Sequence, residues 1–344
     1  MTEFSQLSGK AQIHRLRKVA FEALGAYPFE VKKLSTLNHG FNTTFRVDDT
    51  AGHKYALRIN VNSRRTTENV QAEMAWLEAL AADTDIPVVK PIRTSAGPIL
   101  QMLEVPGFAD PLPSALFEWI PGPLLGDRLS RNGVSLVHQL GQVTAKLHQH
   151  ASGWTLPAGC ALPTTTSIYL GDQIVLFGEV GAAHLSAEQQ DLFQNAADLA
   201  QGTLDRIYQQ ENQPFPIHTD LHSHNLKVWR GDLQVFDFDD CALGHPVQDV
   251  ANAIYYLNGF KERDAYQEAF QQGYAEVLPW TFQDSDIEVL MAGRGLLLAN
   301  DVLVNLNPEV RKYIPEFLNK TTRRMTHWLE QGTYRNPAQE TYPQ

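Results

Sequence analysis

The sequence predicts an α+β chain of two lobes: a small antiparallel β-sheet lobe with one main helix, then a larger, mostly helical lobe. Three observations carry that expectation. At 344 residues the chain is long for a single hydrophobic core. Between residues 31 and 59, short β-prone runs alternate with clusters of turn-forming residues. Beyond Pro121-Gly122, apolar residues recur at helical spacing over most of the remaining length.

Taken in order, Ile13, Leu16, Val19, Ala20 and Leu24 line one face of a helix over 9–24, with Ser8 as its N-cap. Residues 31–37, 43–47 and 54–59 read as three strands, separated by Asn38-His39-Gly40 and by the polar run 48–52. Thr66 or Thr67 opens a helix to about residue 82, with Val70, Met74, Leu77 and Leu80 on one face. Two further strands fall over 97–103 and 115–119. Pro121-Gly122 then stops regular structure and suits a connector. Helices follow over 135–150, 187–210, 247–256, 261–277, 284–304 and 308–330. The expected organisation is a helical extension over 1–30, a first lobe over 31–120, a second lobe over 121–333 and a tail over 334–344. Trp76, Trp280 and Trp328 fall at apolar helical positions and are expected in the core.

Apolar residues make up 43% of the chain and charged residues 19%, a globular balance. A formal charge of −11 speaks against nucleic acid as a partner, because phosphate backbones reward clustered Lys and Arg. Cys160 and Cys241 set up neither a disulfide framework nor a zinc site. The first residues lack the apolar core of a signal peptide, and no run is long enough to span a membrane. The expectation is a soluble, cytoplasmic protein with no membrane partner; the sequence leaves its oligomeric state open.

The segment most able to do chemistry is 217–249. His218-Thr219-Asp220 precedes Asn225 by a short polar loop, and residues 226–229 and 233–236 flank Arg230-Gly231-Asp232 as a hairpin. Asp237 stands just after that hairpin, followed by Asp239 and Asp240. Carboxylates and an amide on loop edges provide hard oxygen ligands of the kind magnesium takes. A further carboxylate that is not a ligand can accept the proton of an attacking hydroxyl. Asp239 and Asp240 are read as substrate or second-metal residues, with a turn role as the alternative. His222 and His224 are read as lining the loop or facing solvent, since magnesium prefers oxygen.

His218-x-Asp220-x4-Asn225 resembles the catalytic loop of the protein-kinase fold, and Phe236-Asp237-Phe238-Asp239 resembles its metal-binding aspartate segment. In detail the pattern is most similar to the aminoglycoside phosphotransferase, choline kinase and type II homoserine kinase-like superfamily. That resemblance implies a two-lobed protein-kinase-like fold using ATP and Mg2+, with Asp220 as catalytic base and Asn225 and Asp237 as magnesium ligands. Asp249 resembles the buried aspartate that braces the catalytic loop. In the first lobe, Asn38 and Gly40 occupy the position of a nucleotide-covering loop. Arg58 stands where the phosphate-binding lysine is expected and can pair with Glu73; arginine keeps the charge but grips phosphate differently. Residues 116–122 resemble the hinge, whose backbone groups at Glu118 and Ile120 would meet the adenine edge.

Between Asp237 and Asp249 there is no room for a peptide-docking activation segment, which points to a small-molecule acceptor. The classes in view are an amino alcohol, a hydroxy amino acid, a sugar or an aminoglycoside. A compact bacterial stress-response-type Ser/Thr protein kinase and a non-catalytic ATP-binding module are the alternative readings. Arg294, Asn300 and Asp301, close together on one helix, are candidates for a shared acceptor site, against an ordinary polar helix face.

Overall fold

The computed structural model describes residues 3–171, 173–210, 213–305 and 308–335. In chain order the elements are α1 (Gly9–Ala23), β1 (Val31–His39), β2 (Thr43–Asp49), β3 (Lys54–Ile59), α2 (Thr67–Asp83), β4 (Pro91–Ile92), β5 (Gln101–Leu103) and β6 (Leu112–Glu118). Then come α3 (Leu129–Gly153), α4 (Glu179–Ala182), α5 (Ala187–Gln210), β7 (Phe215–Ile217), β8 (Leu226–Trp229), β9 (Asp232–Val235) and β10 (Ala242–Gly244). Five helices follow: α6 (Pro246–Leu257), α7 (Arg263–Ala275), α8 (Asp284–Val304), α9 (Pro308–Arg311) and α10 (Ile314–Gln331). The chain divides into two compact units. The first comprises Met1–Gly122, Thr155–Leu162 and Lys227–Asp239; the second comprises Pro123–Trp154, Pro163–Leu226 and Asp240–Gln344.

The first unit is built on an antiparallel sheet of order β1-β2-β3-β6-β4, with β5 also on β6. Alternation along β2 puts Phe45 and Val47 inside, where they join Leu57 and Ile59 of β3 and Leu116 of β6. Leu16 and Ala20 of α1 close the same core, so the N-terminal helix is part of this unit's packing. The Ser8 hydroxyl caps α1 by accepting from the amide of Ala11. Thr66 and Asn69 form a reciprocal capping box that starts α2, whose inner face buries Val70, Glu73, Met74, Leu77 and Leu80.

The two-residue turn Arg230-Gly231 has positive φ at both positions (55° and 97°), the geometry that suits a tight hairpin between β8 and β9. Backbone bonds from Val89 to the Val235 carbonyl and from Val235 to the Pro87 carbonyl tie that hairpin to the strand region. At Gly122 φ is +97°, and a Cβ there would lie 2.2 Å from the Val228 carbonyl oxygen, so the turn admits only glycine.

The second unit is mostly helical, with β7 and β10 pairing antiparallel. α8 packs against α5, α6 and α10, which makes it the central helix. Where α3 crosses α7, glycines face each other's backbone. A Cβ on Gly141 would sit 2.1 Å from the Phe270 carbonyl, and one on Gly273 would sit 1.9 Å from the His138 carbonyl. Tyr334, beyond the end of α10, is buried; its amide donates to Glu288 and its carbonyl accepts from Asn258. Residues 336–344 of the expected tail lie outside the described residues.

The expected α+β class and its division into strands and helices hold, with local corrections. The helix expected over 308–330 is two, α9 and α10, because Pro315 cannot continue a helix and instead suits the first turn of a new one. β4, β7 and β10 span two or three residues each, too short to leave an alternation in the sequence. Trp76 and Trp328 are buried as expected; Trp280 is only half-buried, edge-on to Tyr274 and Phe282. Among the described residues no helix is long and apolar enough to cross a membrane.

Candidate active site

In the second unit β7 delivers the chain into the loop 218–225, and the first turn of α6 holds that loop. Asp249 accepts from the amide of His218 at 2.9 Å and from that of Thr219 at 2.6 Å. Thr219 has φ of +63°, a left-handed conformation that a β-branched residue adopts only when its surroundings impose it. Its hydroxyl donates to the Asp240 carbonyl at 2.8 Å, so both its amide and its side chain are tied down. Behind Asp249 stands His148 of α3, with Nε2 3.1 Å from Asp249 Oδ2 and Nδ1 3.0 Å from the Tyr274 hydroxyl of α7. Burial would raise the Asp249 carboxyl, but His148 and the His218 amide outweigh it and hold the group below its ordinary value. The resulting chain of contacts, Tyr274 to His148 to Asp249 to the loop backbone, fixes the loop to three helices' worth of packing.

Asp220 is the one carboxylate of the loop 218–225. Arg294 of α8 donates to its Oδ1 at 2.5 Å, and the Asn225 amide donates to its Oδ2 at 2.8 Å and to its carbonyl at 2.9 Å. His222 Nε2 lies 3.2 Å from Oδ2. Burial pushes the carboxyl up, but the hydrogen bond from His222 and the charge of Arg294 bring it down to about 2. Tyr256 supports both partners: its ring stacks on His222 at 4.1 Å, and its hydroxyl accepts from Arg294 at 3.0 Å. Asn225 spends its NH2 on Asp220, which turns its side-chain carbonyl oxygen to the other side.

In the first unit, Arg58 of β3 is buried and makes a two-pronged ion pair with Glu73 of α2, through Nη1 at 2.8 Å and also through Nη2. Asp239 lies 3.6 Å from Nη1 of Arg58. Burial opposes the guanidinium's charge, but Glu73 and Asp239 overcome it and hold its pKa above the ordinary value. Both oxygens of Asp239 are engaged, accepting from Asn42 at 2.6 Å and Asn60 at 3.0 Å. Asp237 has φ of +64°, a conformation that aspartate tolerates better than most residues, and its charge also acts on Arg58. In the connector, the Glu118 amide donates to the Lys90 carbonyl, and the Ile120 carbonyl accepts from Lys227 at 3.0 Å. The Lys227 ammonium also sits over Trp119, 4.8 Å from the ring centre. Asn38, near the end of β1, and Gly40, on the β1–β2 turn, are exposed, and the Gly40 carbonyl accepts from Asn62.

Residues 33–283, which include both groups of residues, match the sequence profile of the phosphotransferase enzyme family. The chain belongs to that family. It is 24% identical over 276 residues to amicoumacin kinase of Bacillus subtilis, covering 77% of this chain and 78% of that protein. Among solved structures, a microcompartment-associated aminopropanol kinase superposes with a TM-score of 0.78 at 22% identity, covering 93% of this chain and 99% of the other. Amicoumacin kinase hAmiN, solved with AMP-PNP, Ca2+ and its amicoumacin ligand, gives 0.72 at 18% identity, covering 92% and 96%. The chain is thus a phosphotransferase, the enzyme class that the sequence motifs implied.

Two of the trio expected on α8, Arg294 and Asn300, do not share a site. Arg294 turns to Asp220, whereas Asn300 is fully buried and holds the segment 173–176, accepting from the amides of Val175 and Leu176 and donating to the Gln173 carbonyl. Their spacing puts them on different sides of a helix that is packed all round. Sequence reasoning missed Asn42 and Asn60 as partners of Asp239, Lys227 as the ligand of the Ile120 carbonyl, and the His148–Tyr274 support of Asp249. Only Asn42 carried a signal, since it lies in the turn already singled out as nucleotide-covering.

Proposed function

We propose that the phosphotransferase moves the γ-phosphoryl group of ATP to a hydroxyl of a small molecule, with Asp220 as the catalytic base. The observation that carries this reading is the setting of Asp220. A carboxylate held ionised by Arg294 and oriented by the Asn225 amide is ready to accept a proton at Oδ2 or Oδ1. The acceptor oxygen would form a bond to the γ-phosphorus as the bond from that phosphorus to the β,γ-bridging oxygen breaks. The hydroxyl proton passes to Asp220, and ADP leaves.

Arg58, held by Glu73 and Asp239, is assigned to the nucleotide phosphates, and Asn38 and Gly40 to the loop that covers them. Because Lys227 takes the Ile120 carbonyl, the adenine edge is assigned to the Ile120 amide and the Glu118 carbonyl. Asp239, with both oxygens taken, is assigned to positioning Arg58, which leaves Asp240 as the candidate for substrate or a second metal. Asn225 and Asp237 are assigned to a hard divalent cation on the chemistry of their oxygens, an amide carbonyl whose NH2 is spent on Asp220 and a carboxylate. Bound magnesium would neutralise the phosphate charge. The amicoumacin kinase neighbour solved with an ATP analogue and Ca2+ supports a nucleotide and a divalent ion, and relatives named for aminopropanol and amicoumacin support a small-molecule acceptor.

The test is magnesium-dependent ADP release from ATP across amino alcohols, hydroxy acids, sugars and aminoglycosides. Turnover stimulated by one class and abolished in Asp220→Asn, with nucleotide binding retained, is the expected result. Equal turnover in Asp220→Asn would remove the base assignment, and unchanged magnesium-dependent nucleotide affinity in Asp237→Ala would remove the metal assignment.

A further inference from the structure

A pocket lies wholly within the second unit, walled by Ile168, Leu204, Leu290 and Leu297 and lined also by Asn252 of α6 and Arg294 of α8. Among the described residues its lining includes no carboxylate, and Arg294 is its one charged side chain. Asn252 is 4% exposed, yet neither its amide nitrogen nor its amide oxygen has a hydrogen-bond partner. The Nε–H of Arg294 is likewise buried and unmatched, although Nη2 of the same guanidinium holds Asp220. Buried polar groups in folded proteins are rarely left this way, and where they are, a missing partner is the usual reason. Here three such atoms belong to two residues of one pocket, and one of those residues also touches the proposed base.

We infer that this pocket takes the acceptor, and that the acceptor is an aliphatic hydroxy acid. The inference rests on the phosphotransfer reading above. A carboxylate accepts from the Nε–H of Arg294 and the Nδ2–H of Asn252, and the Asn252 oxygen accepts from a further O–H or N–H of the ligand. The hydrocarbon portion lies on the Leu and Ile walls. A single guanidinium then holds the acceptor's carboxylate through its Nε–H and Asp220 through Nη2, so binding the acid group also brings the acceptor's hydroxyl toward the base. A polyamine acceptor meets the opposite conditions, because its ammonium groups would face Arg294 in a lining that holds no carboxylate. A plain alcohol would leave all three polar atoms unmatched.

The experiment compares matched acceptors of one carbon skeleton, a hydroxy acid, its uncharged amide and the corresponding amino alcohol, together with an aminoglycoside. Each is tested for ADP release and, by calorimetry, for binding to the intact protein in the presence of AMP-PNP. The expected result is a kcat/KM for the hydroxy acid at least tenfold above those of the amide and the amino alcohol. Asn252→Asp, which adds a carboxylate to the pocket, should raise the hydroxy-acid KM at least tenfold and narrow its advantage over the amino alcohol. Preference for the amino alcohol or the aminoglycoside, or an unaltered preference in a folded Asn252→Asp protein, overturns the inference and leaves the phosphotransfer reading intact. Turnover of none of them, with no hydroxy-acid binding to the wild-type protein, overturns the inference too. If nucleotide binding with ADP release is also missing, the phosphotransfer reading falls with it.

Discussion

Arg294 Nη2 lies 2.5 Å from Asp220 Oδ1, an ion pair between the centre of α8 and the loop that follows β7. It joins residues 74 positions apart, and both side chains are largely shielded from solvent. The hydrogen bond from His222 and the charge of Arg294 together hold the Asp220 carboxyl down at about 2, and Arg294→Gln removes the second of them. The carboxyl's pKa should rise toward the ordinary carboxylate value near ~4, so the acidic limb of the pH–rate profile should move upward. Turnover should also fall roughly 10- to 100-fold, because the carboxylate loses an orienting contact. A pH–rate profile of the variant superimposable on that of the wild type would show that Arg294 does not act through Asp220.

Asp249 accounts for the shape of the same loop. It takes two consecutive backbone amides and holds Thr219 in a left-handed conformation whose cost is roughly 1–3 kcal/mol. Asp249→Asn keeps the volume and loses the charge, and with it the favourable contact to His148. Stability should drop by about 2–4 kcal/mol, and kcat should fall while nucleotide affinity is retained. The depressed carboxyl also sets the pH dependence. Its stabilisation is complete above the unfolded carboxylate pKa of ~4 and is lost as pH falls through the lower folded value. The stability gap between wild type and Asp249→Asn, measured by urea unfolding, should therefore be flat at neutral pH and close in acid.

The loop 218–225 and the segment 236–239 stand out in the sequence because polar groups are packed into a short stretch: His218, Asp220, Asn225 and Asp237 are near neighbours, and turn and hairpin residues punctuate them. The pairing of Arg58 with Glu73 was legible for a similar reason, since a strand and the next helix place them 15 residues apart. Nothing comparable marks Asn42 and Asn60, which reach Asp239 from 197 and 179 residues away. An isolated asparagine after a strand looks like any loop residue. Arg294 was noticed but given the wrong companions, because helical spacing says which residues share a face and not what that face meets. The break between α9 and α10 was hidden by apolar periodicity that continues across Pro315.

Arg58 supplies a prediction about the nucleotide side. Its two-pronged grip on Glu73 requires the planar fork of a guanidinium, and Asp239 approaches the same group. Arg58→Lys keeps the charge but can satisfy only part of this arrangement, and the residual carboxylate remains buried. The KM for ATP should rise about tenfold, a loss of about 1.4 kcal/mol, with a smaller change in kcat. Steady-state kinetics with varied ATP at saturating acceptor measures this. A lysine variant with wild-type KM would mean that the ammonium alone provides whatever the phosphates need.

The crossing of α3 and α7 gives a prediction that is independent of chemistry. Gly141 and Gly273 bring two helix backbones into contact, and a Cβ on Gly141 would fall 2.1 Å from the Phe270 carbonyl oxygen. That obstacle is backbone, so no rotamer change relieves it; the helices must separate. α3 carries His148 and α7 carries Tyr274, the two side chains that stand behind Asp249. Gly141→Ala would gain in intrinsic helix propensity by up to ~1 kcal/mol, yet should lose about 1–3 kcal/mol overall through overpacking. Moving the helices apart should also loosen the Tyr274–His148–Asp249 chain, so kcat should fall along with the melting temperature. Gly202, on the outer part of α5 with open space around its Cβ position, is the control: Gly202→Ala should stabilise the protein and leave kcat unchanged. If Gly141→Ala melted at or above the wild-type temperature, the two helices would have room at this crossing that the backbone contact denies them.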